Sequence, residues 1–197
     1  MEILSRFNRP ADLKVVDRDP NALTWFEARK VQIEPADGVE FLLESLASGE
    51  SAAWVLPCLP LHLAYHWLLA RLGSKARAIP VPPELGDHLP NRLPAESNGF
   101  YTSLADFLCP VDCPEPARIC PATGRPRPGT LFADLAAGNW PGFTMLVVRG
   151  RQLAPGLGGL RPDDLFSLER KSIEAGGRVL VATACRCHGV VHGLTSR

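Results

Sequence analysis

Residues 13–34 read LKVVDRDPNALTWFEARKVQIE, and the order of residue types in that stretch decides the fold class. Residues 13–17 (LKVVD) are a short apolar run rich in β-branched side chains, which predicts a buried strand. The run stops at Asp-Arg-Asp-Pro, where Pro20 suits the first turn of a helix over 21–30. A second short strand follows at 31–34 (VQIE). Strand, helix and strand with so short a connection predict a βαβ unit and parallel pairing.

The same alternation continues outward. Residues 38–48 place Val39, Leu42, Leu43 and Leu46 at helical spacing. Residues 52–56 (AAWVL) predict a third strand. Residues 60–72 predict an apolar helix closed by Gly73, and 76–81 a fourth strand. Beyond residue 128 the expected elements are a helix over 131–137, a strand over 143–149, a helix from Pro162 to Gly176-Gly177, and a strand over 178–184. The fold class is therefore α/β, a mainly parallel three-layer Rossmann-like sheet. It divides into a part over 1–81 and a part over 82–197, expected to pack on one sheet.

Between Pro82 and Pro128 the pattern breaks. Much of the chain's proline (19 residues) lies here, so long helices are excluded, and only 100–107 has strand character. A long irregular stretch needs a reason for its order, and the cysteines suggest one. Cys109, Cys113 and Cys120 fall within CPVDCPEPARIC; Cys185 and Cys187 run into His188 as CRCH. Clustered thiolates are what a soft metal or an iron–sulfur cluster requires. The expected centre takes Cys109, Cys113 and Cys120 from the Pro/Cys-rich loop insertion, and one or both of Cys185 and Cys187, with His188 able to replace either. Cys-Pro pairs at 109–110, 113–114 and 120–121 favour an iron–sulfur cluster, and zinc is the alternative. An iron–sulfur cluster implies electron transfer or redox sensing and a redox partner protein. Zinc implies a structural role. Ordinary buried thiols are a further alternative. A thiol enzyme, with Arg186 and His188 stabilising a thiolate in CRCH, is another.

Other residues carry weaker signals. Cys58 reads as a core residue. His62 and His66 stand four apart on one helix, without the glutamate of H-E-x-x-H, and read as hydrogen-bonded histidines at a helix start. The loop holding Gly156, Gly158 and Gly159 joins a strand to a helix, where free amides receive phosphate. Asp17, Cys185 and the start of the His62 helix are expected at one edge of the sheet, where ligand sites of open α/β sheets form.

Composition bounds the rest. Twenty-one basic and 21 acidic residues give a formal net charge of zero, which speaks against nucleic acid and anionic membranes as partners. Apolar residues make up 46%, enough for a packed core. There is no apolar run of membrane-spanning length and no signal-peptide pattern. The expected compartment is the cytoplasm, where thiols stay reduced.

LKVVDRDPNAL, with DGVEFLLE and AAWVLP after it, resembles the second strand and continuation of the Rossmann domain in TrkA-N (RCK) regulators of potassium uptake. FYTSLADFLCPVDCPEP and LVATACRCHGVV resemble bacterial proteins labelled TrkA-like. The resemblance implies that an acid after the strand, Asp17 or Asp19, holds the ribose of NAD. It also requires G-x-G-x-x-G ahead of Leu13, and nothing from Met1 onward supplies it. Either the chain begins late or the nucleotide site has been lost.

Overall fold

The computed structural model describes residues 13–29, 31–49 and 52–197. The stretch before Leu13, where the glycine-rich turn would belong, lies outside them, as does Lys30. The chain divides into two compact units, 1–51 and 52–197.

The first unit is the βαβ arrangement read from LKVVD…VQIE. Strand β1 (Lys14–Val16) pairs parallel with β2 (Gln32–Glu34), in register Val15 to Ile33, across helix α1 (Pro20–Glu27). Helix α2 (Gly38–Ala47) follows. Both helices start on an aspartate. Asp19 accepts from Asn21 N at 2.9 Å, and Asp37 accepts from Val39 N at 2.9 Å and Glu40 N at 3.2 Å. Each cap satisfies amides that the first helical turn leaves open.

The second unit runs α3 (Leu63–Leu72), β3 (Ala76–Ile79), α4 (Pro83–Gly86), β4 (Leu93–Pro94), β5 (Phe100–Ser103) and α5 (Leu131–Ala137). It continues with β6 (Thr144–Arg149), β7 (Arg151–Ala154), β8 (Leu157–Gly159), α6 (Pro162–Ala175), β9 (Gly177–Ala184) and β10 (His188–Ser196). Its six-stranded sheet has the order β4-β5-β10-β9-β6, with β3 also on β10. The fold is mixed α/β, but this sheet is not the mainly parallel one expected. Only β6 and β9 pair parallel; β10 is antiparallel to β3, β5 and β9. The cause is β10 itself, which forms a hairpin with β9 from Gly189↔Ala184 to Ser196↔Gly177. Its sequence, HGVVHGLTS, has two glycines and no continuous apolar run, so it escapes a reading by apolar pattern.

Alternation along β9 separates two cores. Leu180, Ala182 and Ala184 join Val191 against Leu85 of α4, Leu131 and Leu135 of α5, and Trp140. Val179 and Val181 are fully buried on the other side, with His192 opposite Val181. There Tyr65 and Leu68 of α3 and Leu165 and Leu168 of α6 are buried. Fully burying a side chain of this kind contributes about 1.5–3 kcal/mol.

Three further expectations change. Residues 52–56 form no strand; Val55 makes a single bridge to Leu160. Cys58 is exposed rather than a core residue. The Gly156 loop is not a strand-to-helix turn but the bend of the β7–β8 hairpin, with Gly156 at φ 75°. Among the described residues no helix is long and apolar enough to cross a membrane.

Candidate metal centre

The turn between β9 and β10 is Cys185-Arg186-Cys187-His188, closed by Cys185 N donating to His188 O at 2.9 Å. The Cys185 sulfur turns inward over it and accepts from Cys187 N at 3.5 Å and His188 N at 3.3 Å. His188 Nδ1 lies 4.0 Å from the same sulfur. A second tight hairpin repeats the pattern. Ile119 bridges Pro126, Cys120 N donates to Arg125 O at 2.8 Å, and Gly124 N donates to Cys120 O at 2.8 Å. There the Thr123 hydroxyl and the amides of Thr123 and Ala122 favour the charged form of the Cys120 thiol. In both turns, amides two and three residues ahead act on the sulfur. Such amides stabilise the negative charge of a thiolate.

The irregular stretch is tied to the CRCH turn at both ends. Leu104 N donates to Cys187 O at 2.8 Å; Leu131 N donates to Arg186 O at 2.9 Å and Phe132 N to Cys185 O at 3.2 Å. Midway, Glu115 Oε1 accepts from Arg186 N at 2.6 Å, and Gln152 Nε2 of β7 donates to Cys113 O at 3.0 Å. Arg127 donates through Nε to Pro116 O at 2.6 Å and through Nη1 to Cys187 Sγ. The loop thus has its own hydrogen-bonded ties, apart from any metal.

A cleft of about 360 Å³ results, lined by Cys109, Cys113, Cys120, Cys185, Cys187 and His188. Glu115 and Arg127 also face it, as do Gly156 and Gly158 of the β7–β8 bend, whereas Gly159 packs near Leu153, Leu56 and Trp54. The two cysteine clusters, 65 positions apart in sequence, therefore share one cavity. They do not stand in bonding positions. Among the described residues, no three His, Cys, Asp or Glu side chains form a set that could hold a metal ion.

The electrostatics distinguish the sulfurs. Burial pushes the Cys185 thiol up to about 12, and its hydrogen bond to Glu115 adds to the rise. Burial also raises Cys187, against the pull of Arg127, and raises Cys109, which then feels Cys113 and Cys120. Cys120 is lowered, first by the Thr123 hydroxyl.

The remaining expected residues lie elsewhere. Asp17 Oδ1 accepts from Asp19 N at 2.8 Å, and Asp19 caps α1, so both serve the turn before that helix. Asp17 follows a strand of the two-stranded sheet and Cys185 a strand of the six-stranded one, so they do not share a sheet edge. His62 is buried against His192 and Thr183, while His66 faces Glu96. Sequence reading missed Glu115, Arg127, Glu96, Thr183 and His192, each brought in by long-range folding with no local motif to mark it.

The family model AF_1314_C, described as "Uncharacterized protein, C-terminal domain", matches residues 64–197. The chain belongs to this family. A relative from Archaeoglobus fulgidus, carrying the name "Uncharacterized protein", is 30% identical over 203 residues, covering 94% of this chain and 89% of its own length. No solved structure matches. The segment shared with the family contains both cysteine clusters and the whole cleft-lining loop, while Asp17 and Asp19 precede it.

Proposed function

We propose that the chain is a metal-binding protein in which the loop and turn cysteines together hold an iron–sulfur cluster or a zinc ion. The observation that carries this reading is the shared cleft, with five sulfurs and one imidazole on its walls. The donor chemistry fits: thiolate and imidazole suit zinc, and thiolates suit iron–sulfur clusters. Cys120 and Cys185 are the anchoring ligands, because backbone amides already converge on both sulfurs. Cys109, Cys113, Cys187 and His188 supply the rest. Binding requires these side chains to turn toward one another, and Arg127 to release Cys187 wherever that thiol is used.

A cluster in this cleft would supply one-electron chemistry, and with it electron transfer to a partner protein or redox sensing in a reducing compartment. A zinc ion would lock the 105–128 loop onto the β9–β10 turn. In either case Arg127 offsets the negative charge of the thiolates. Elemental analysis of anaerobically purified protein tests the reading. About one zinc or four irons per chain is expected, lost in Cys120→Ser and in Cys185→Ser. Sub-stoichiometric metal that neither substitution changes would overturn it.

A further inference from the structure

On the sheet face that carries α3, four residues from separate parts of the chain meet in the core. His62 Nδ1 is 2.9 Å from His192 Nδ1, His62 Nε2 is 2.8 Å from Thr183 Oγ1, and His192 Nε2 is 2.6 Å from Glu96 O. His192 is fully buried, His62 nearly so, and Thr183 half-buried.

The partners fix the hydrogens. A main-chain carbonyl only accepts, so His192 Nε2 carries a hydrogen. Neutral His192 then has a bare Nδ1, and His62 Nδ1–H donates to it. His62 Nε2 is therefore bare and accepts from the Thr183 hydroxyl. Every bond in the row runs in one direction, from Thr183 toward Glu96.

We infer that Thr183, His62 and His192 form a proton wire that stores one proton on His192 beside Glu96 and exchanges it through the Thr183 hydroxyl. An incoming solvent proton bonds to Thr183 Oγ1 as that hydroxyl gives its own hydrogen to His62 Nε2. His62 releases its Nδ1 hydrogen to His192 Nδ1. One O–H and two N–H bonds form as one bond to the solvent donor, one O–H and one N–H break. The network gains a single positive charge, on His192. His62 stays neutral but changes tautomer, and all the bonds reverse direction except His192 Nε2–H to Glu96 O. A second proton would set two N–H groups head to head across 2.9 Å, so the wire holds one.

The surroundings favour His192 as the charged member. The Glu96 carboxylate lies 3.7 Å from His192 Nε2 and stays close by accepting from His62 N at 2.9 Å and from Tyr101 OH at 3.2 Å. Tyr65 of α3 stacks on both rings and donates to Gly193 O. His66, also on α3, opposes a charge on His192 and competes for the same carboxylate, with Nε2 4.0 Å from Glu96 Oε1. Burial lowers both His62 and His192; only His192 has Glu96 to offset it.

Long-range ¹H–¹⁵N NMR on the full-length, ¹⁵N-histidine-labelled protein tests the wire. At neutral pH His62 is expected as the Nδ1–H tautomer and His192 as the Nε2–H tautomer. On acidification His192 gains a second N–H, and His62 switches to the Nε2–H tautomer at the same midpoint without becoming charged. In Thr183→Val exchange of the proton on His192 Nδ1 with water is expected to slow, while Thr183→Ser keeps the wild-type rate. The wire is overturned if wild-type His62 becomes an imidazolium or keeps its tautomer while His192 titrates. Exchange as fast in Thr183→Val as in the wild type overturns it as well.

Discussion

His192 shows how one residue sets a pH limit on the fold. Its pKa and that of His62 are held low chiefly by burial. The unfolded chain protonates both near pH 6.5, and the folded chain resists. Stability is therefore full above about pH 6.5 and falls as the pH drops below it. Glu96 adds to this lower down. Burial pushes its pKa up, but the His62 amide, its own amide, His192 and Tyr101 lower it overall. That contribution is present above about pH 4.3, the unfolded carboxylate value, and is lost in stronger acid. Denaturant titrations from pH 8 to 4 check the sign, and a flat profile between pH 7 and 5 would contradict it. Thr183→Val leaves His62 Nε2 buried without its donor and is expected to cost about 1–3 kcal/mol at neutral pH, read by the shift in denaturation midpoint. Little of this was legible in the sequence. His62 and His66 were visible at helical spacing, but their partners lie 30 to 130 positions away, and only folding brings them close.

At the scale of elements, legibility followed local physics. Helices opened by Asp19-Pro20 and Asp37, the apolar strand RVLVATA and the βαβ unit at 13–34 declare themselves through capping and pattern. Strand β10 does not, because its glycines serve close packing rather than strand propensity. A Cβ on Gly193 would meet Ile79 O at 2.8 Å and Pro80 O at 3.3 Å; one on Gly189 would meet the Ala184 Cβ at 2.9 Å. Gly193→Val is therefore expected to push β3 off β10 and cost at least about 1–3 kcal/mol. Gly158→Ala meets nothing within 4 Å and should stay within about 0.5 kcal/mol. Equal midpoints for the two variants in denaturant would contradict this account of β10. Without β10 in the reading, its neighbours looked parallel, and the expected sheet topology followed from that omission.

For the whole molecule, the cysteine clusters were legible as residues and their meeting was not. CPVDCPEPARIC and CRCH announce thiols, but the shared cleft depends on Leu104, Leu131 and Phe132 binding the same turn. Those ties give the loop order of its own, and the proposed metal would add to it. At free metal about a thousandfold above Kd, the loaded form is expected to be about 4 kcal/mol more stable. Thermal unfolding with and without a chelator reads the difference, which Cys120→Ser should abolish. The most direct measurement is X-ray absorption at the iron and zinc edges of the purified wild-type protein. The account predicts a first shell dominated by sulfur at about 2.3 Å; a shell of oxygen and nitrogen alone would contradict it.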